Sequence, residues 1–319
     1  MQKKNTGLAL SLATLGNTFW GLSYLFIAVA LKYTTPPVML SIRFTLAFLI
    51  LNIMILLGKG SVHLKGKPMK SILLLLVAEP AGFYLESYGL KYCSTSMTGS
   101  ILALTPIAAI ILGRLMLRES PAKAQVLSCA VPISGVLLCT FASSSTGAAR
   151  PLGIFLIGLD CISCAVYRVA NRKASKNFTP FERTYLVLMV TSTVFTSHAL
   201  IQNHGDLGVY KDAFSHMPFV FAILVLTVFC SIASNIMVNY ASGLISVAQM
   251  SAIGIIQTFV SIVSGIVILH DPWNPVTLVG SALILIGIFL VNKTENTTVL
   301  PAPTERLSVR EKMLRRTTA

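Results

Sequence analysis

The sequence predicts an all-α polytopic membrane protein, with ten transmembrane helices arranged as two inverted five-helix repeats. Three observations predict it. The first is composition: hydrophobic residues make up 54% of the chain and charged residues 11%, where a soluble domain carries about 25% charged residues. The mean hydropathy of +0.76 agrees. The second is an internal repeat. A shift of 152 residues sets Ala109 on Ser261, Gly113 on Gly265, Glu119 on Asp271 and Gly135 on Gly287, so a stretch of small residues, an acidic turn and an apolar helix recur together. The third is charge. The turn of the first copy holds Arg114, Arg118 and Lys123, whereas its counterpart at 270–275 has neither Lys nor Arg. Cationic turns stay in the cytoplasm, so the two copies face opposite sides, as they must if each holds an odd number of spans.

Each element in order is an apolar stretch near the ~20 residues needed to cross a ~30 Å hydrocarbon core. The first, 8–31, follows Lys3 and Lys4. It exceeds the apolar region of a secretory signal and contains Asn17 and Trp20, so it reads as a retained span. The second, 37–57, opens on proline and carries Arg43; the third, 71–91, carries Glu79, Pro80 and Glu86. Spans at 95–117 and 124–142 flank the basic turn and complete a first repeat over 1–145. The second repeat, 146–292, holds spans at 152–172, 181–202, 217–240, 244–269 and 275–292. Residues 293–319 lack apolar periodicity and read as a basic, solvated cytoplasmic tail.

With the N-terminus inside, the cytoplasmic segments collect 20 of the 25 Lys and Arg, among them Lys67, Arg168 and Arg183. The outside receives 4 (Lys32, Lys91, Arg150 and Lys211), and Arg43 lies within a span. This bias puts both termini in the cytoplasm and the chain in the cell membrane. It also accounts for the net charge of +14 without nucleic acid, which would need the basic residues on one solvated face with aromatics for stacking. The six cysteines fall within or at the edges of spans. Cys161 and Cys164 have i, i+3 spacing without the second pair that a zinc site needs, so they read as packing residues; neither a metal nor a cofactor is expected.

Function is sought in the ionisable groups placed in the bilayer, which are costly there and mark sites or buried pairs. They are Arg43, Glu79, Glu86 and Asp160. At 1.5 Å per residue, Arg43 and Glu86 both lie roughly 8–9 Å below the outer surface, and they are expected to form a structural ion pair between the second and third spans. Glu79 shares the helix face of Glu86 but sits about 10 Å deeper, near the midplane, with no cation of matching depth. Pro80 follows it and kinks the helix. Two readings stay open: a carrier of protons or partner of a substrate ammonium, or a protonated carboxyl hydrogen-bonded to a neighbouring helix. Asn17, Trp20 and Tyr24 form one stripe through the midplane, Asp160, Ser163, Tyr167 and Asn171 another, and Gln257 lies at similar depth. Singly each is a packing or interfacial residue; together they suggest a substrate site.

Asn17-Thr-Phe-Trp20-Gly21, Pro37 with Arg43-Phe44, Gly89-Leu-Lys-Tyr92 before Ser94-Thr-Ser96, Leu104-Thr-Pro106, Arg118-Glu119 and the Gly135 helix together resemble the drug/metabolite transporter superfamily, EamA-type, over residues 7–292. The second half departs from that pattern: no proline stands around Ile255–Gln257, and Asp271 replaces the turn glutamate. The resemblance implies a central cavity and alternating access, commonly with export of amino acids, other metabolites or drugs.

The expected function is therefore a secondary transporter of a small metabolite, amino acid-like or otherwise cationic or zwitterionic, or a drug. Its expected partners are that substrate, the lipid bilayer and protons, with a homodimer left open. An intramembrane enzyme fits poorly. His198 has no Gly-x-Ser-x-Gly serine, and Asp160 lacks a second aspartate span, so no catalytic residue is assigned. A membrane scaffold or receptor-like protein remains the other alternative, although midplane carboxyls in inverted repeats serve transport.

Overall fold

The computed structural model describes residues 2–117, 127, 130–145, 150–245 and 247–298. Its helices are α1 (Gln2–Ala30), α2 (Pro36–Leu56), α3 (Leu73–Gly89), α4 (Thr95–Leu102), α5 (Thr105–Leu117), α6 (Ala130–Ser145), α7 (Pro151–Ala174), α8 (Pro180–Gln202), α9 (Gly208–Phe214), α10 (Met217–Val225), α11 (Ser234–Leu244), α12 (Val247–Ile268) and α13 (Pro275–Thr298). A π-helical segment, Leu226–Ala233, joins α10 to α11. The starts follow from local chemistry. Prolines open α2, α7 and α8, where a missing N–H costs nothing. Thr179 and Glu182 form a reciprocal capping box on α8.

By length and apolarity α1, α2, α7, α8 and the unit from Met217 to Leu244 each suffice to cross a membrane, and shorter apolar helices lie at Thr95–Ala109, Ala130–Phe141, Ile253–Ile268 and Pro275–Gly287. With α3 as the third they form ten spans: α4 and α5 make the fourth, α6 belongs to the fifth, and α10, the π segment and α11 make the eighth. Large apolar side chains such as Phe141, Phe155 and Phe289 point outward, as lipid contact requires.

The two repeats interleave. The third span packs on the sixth, the second on the seventh, the first on the eighth and ninth, the fourth on the sixth and ninth, and the fifth on the tenth. Exchanging the repeats, span one for six through five for ten, returns the same set of pairs, as two-fold related halves must. Small residues bring these helices close. A Cβ placed on Gly135 would lie 2.6 Å from the Gly280 carbonyl on α13, and one on Gly82 would lie 3.0 Å from Asp160 Oδ1 on α7.

Three elements differ from the expected ones. The fourth span breaks at Ala103 and Leu104, just before Pro106, whose ring and missing N–H oppose a continuous helix. Its ninth-span counterpart, α12, has no proline and runs unbroken. The last helix continues to Thr298 rather than ending at 292. Arg168, Arg172 and Arg183, counted above among cytoplasmic segments, are helical residues. Arg183 is 1% exposed and donates to the Asn171 side chain, to Asn239 O at 2.6 Å and to Ser242 Oγ at 3.1 Å.

The acidic turn of the second repeat has a definite task. Asp271 Oδ2 accepts a 2.8 Å hydrogen bond from the Ser96 backbone N–H at the start of α4, beside the Ser94 cap. Its first-repeat equivalent, Glu119, lies outside the described residues, as do Arg118, Lys123 and Cys129. Cys93, in the turn between α3 and α4, is buried, which pushes its thiol up to about 11 and leaves it inert. Among the described residues one ion pair occurs: Lys67 Nζ meets Glu182 Oε2 at 2.5 Å and ties the loop after α2 to the start of α8.

Candidate functional site

A cavity of about 870 Å³, counted with its mouth, lies among α1, α3, α7, α12 and the broken fourth span. The break itself lines it through Leu102, Ala103, Thr105 and Pro106. Irregular backbone at membrane depth is tolerated where it borders such a space. Three carboxyls reach the cavity, Glu79 and Glu86 from α3 and Asp160 from α7, together with Trp20, Tyr24, Tyr167 and Gln257. Both residue stripes therefore converge here. Asn17 and Asn171, at the ends of the two stripes, are the exceptions. Asn17 lines a smaller neighbouring cavity of about 480 Å³ with Asn171 and Arg172, and its amide donates to Ala13 O in its own helix at 2.8 Å.

The site is held by hydrogen bonds across spans. Gln257 Nε2 donates to the Tyr24 hydroxyl at 2.5 Å, joining α12 to α1. Ser163 Oγ donates to Ala78 O at 2.6 Å, fixing α7 against α3 one residue before Glu79. Tyr167 lies between Asn235 and Asn239, 3.4 Å from each amide oxygen, and meets the Trp20 ring edge-on at 6.2 Å. Trp20, Tyr167 and Arg168 line both cavities and so separate them.

The Arg43–Glu86 pair does not form. Arg43 is fully buried, its Nε donates to Ser231 Oγ at 2.7 Å, and its guanidinium stands 4.9 Å from the Phe44 ring centroid and 5.1 Å from that of Phe83. The cause is packing. The second span lies against the π segment that carries Ser231, so the side chain meets that hydroxyl and the faces of Phe44 and Phe83. Sequence reasoning also misses Arg168, which it counts with the cytoplasmic cations. The signal that could have found it is its place one residue after Tyr167 on the polar face of α7.

Among the described residues no three His, Cys, Asp or Glu side chains gather as metal ligands. Cys161 faces Thr105 at 3.6 Å and Cys164 donates to Asp160 Oδ1 at 3.5 Å, so the two thiols serve different neighbours.

The whole arrangement has known counterparts. The profile of the EamA-like transporter family matches residues 7–141 and again 151–293. An uncharacterized transporter of Bacillus subtilis strain 168, YcxC, is 32% identical over 272 residues, covering 84% of this chain and 87% of its own length. An uncharacterized transporter of Archaeoglobus fulgidus is 23% identical over 278 residues, covering 86% and 95%. A solved crystal structure superposes with a TM-score of 0.67 over 91% of this chain and 99% of that one, at 14% identity, which speaks for the fold alone. With its repeat matched twice and its spans paired across the two halves, the chain belongs to the EamA-like transporter family.

Proposed function

We propose that the chain is a secondary transporter that exports a small cationic or zwitterionic organic metabolite, amino acid-like or drug-like, across the cell membrane by alternating access. The observation that carries this reading is a single cavity framed by helices of both repeats and lined by Glu79, Glu86 and Asp160 against one cation, Arg168. Anion sites collect Lys and Arg; an excess of carboxyls favours a ligand with a positive group. Glu79 serves as the coupling group, taking up a proton or the ligand's ammonium in one access state and releasing it in the other, because a ligand shifts an equilibrium only by its differential affinity for the two states. Residues 1–145 and 146–292 act as the two moving halves and 293–319 as a cytoplasmic tail. No chemical conversion of the solute is assigned.

The test is flux. Purified protein in vesicles should move solutes that accumulate in cells lacking it, as found by comparing their metabolite pools with those of expressing cells. Vesicles that show no flux of any solute so identified would leave a membrane scaffold as the better reading.

A further inference from the structure

We infer that the cavity has two electrostatic poles and takes an extended zwitterion, of the ω-amino acid class, whose ammonium and carboxylate are held well apart. This deepens, and rests on, the transport reading above. Three buried polar atoms of cavity-lining residues have no hydrogen-bond partner in the protein: Glu86 Oε1, Asp160 Oδ2 and Arg168 Nη1. Glu86 is 7% and Asp160 0% exposed. Such atoms are expensive to leave unpaired, and here they are of opposite charge, so one zwitterion answers both.

Their placement sets the length of the ligand. Glu86 and Asp160 are electrostatic neighbours and form an acidic pole where α3 meets α7. Gly82 makes room for it, since a Cβ there would come 3.0 Å from Asp160 Oδ1. Arg168 stands eight residues further along α7, about 12 Å along the helix axis. Its guanidinium is turned to the ninth span, 3.3 Å from the position of a Cβ on Gly254. The lining between the poles includes Trp20, Tyr24 and Tyr167, and the Tyr24 hydroxyl is already engaged by Gln257. An aliphatic chain suits that stretch. The ammonium and carboxylate carbon of an α-amino acid are only two bonds of about 1.5 Å apart, and such a ligand reaches one pole at a time.

The experiment is equilibrium binding to the full chain in lipid nanodiscs, with ε-aminocaproate, L-alanine and pentylamine as probes. The wild type should bind ε-aminocaproate at least about tenfold more tightly than either of the others. Arg168→Gln should weaken ε-aminocaproate about tenfold more than it weakens pentylamine. Should that variant fold poorly, as read by its melting temperature, Gly254→Ala crowds the guanidinium instead and should produce the same selective loss. Equal or tighter binding of L-alanine, no binding of ε-aminocaproate, or a preference untouched by both variants overturns the two-pole site. Flux of a native solute without any preference for ω-amino acids removes this inference and leaves the transport reading standing. Selective binding without flux does the reverse.

Discussion

Arg43 and Glu79 show what a single residue's depth in a span reveals and what it conceals. Depth placed Glu79 near the midplane and Arg43 level with Glu86, and the cavity does contain Glu79, Glu86 and Asp160. Direction around the helix axis was not readable, because it depends on which span lies alongside. Arg43 therefore turned out to serve Ser231 and two aromatic rings instead of a carboxylate. Arg43→Gln should destabilise the protein by about 1–3 kcal/mol, through the Ser231 hydroxyl left without its buried partner, and a thermal melt in detergent measures it. Exchanging the charges, Arg43→Glu with Glu86→Arg, should not restore that loss; a restored melting temperature would show that the two side chains pair after all. For Glu79 the informative change is Glu79→Gln, which keeps shape and hydrogen bonding and removes titration. Accumulation against a gradient in proton-loaded vesicles should disappear, while binding of substrate survives. Uphill transport with an unaltered pH profile would make Glu79 structural and leave Asp160 as the coupling group.

At the scale of elements, the spans were legible as apolar stretches but their irregularities were not. The fourth span reads as one continuous stretch and breaks before α5, where Pro106 opposes a continuous helix, while α12, without a proline near Ile255–Gln257, runs unbroken. The π segment at Leu226–Ala233 had no such mark, since its apolar residues satisfy an α-helix equally well. Nor was the strap after α2 legible. Its Lys67 counted only as one more cytoplasmic charge, yet it bonds Glu182 across the chain. Helix contact makes the sharpest prediction at this scale. Gly135→Ala would press a methyl against the Gly280 carbonyl, where backbone has little freedom to yield, at a cost of about 1–3 kcal/mol. Gly158→Ala meets nothing within 4 Å and should stabilise α7 by up to about 1 kcal/mol. Unfolding followed by α-helical circular dichroism separates the two, and a Gly135→Ala variant as stable as the wild type would contradict the close fifth-to-tenth span packing.

The whole molecule was the most legible level, because a repeat with an odd number of spans and a one-sided charge pattern admit few topologies. The 20-to-4 division of Lys and Arg predicts that reporter fusions after Lys67 and after Asn292 report cytoplasm while one near Asp206 reports the outside. Any exchange among these three results rejects the ten-span orientation. The interleaving of the halves was not legible, since no local pattern says which spans will touch. It has a consequence for biosynthesis. Arg43 leaves the ribosome 188 residues ahead of its partner Ser231, a delay of roughly 10–40 s at ordinary rates of synthesis. Throughout that interval the early spans reside in the insertion machinery or the bilayer with a charged side chain still awaiting its hydroxyl. On this timing, a truncated first half should be a substrate for membrane quality-control proteolysis rather than a stable fragment.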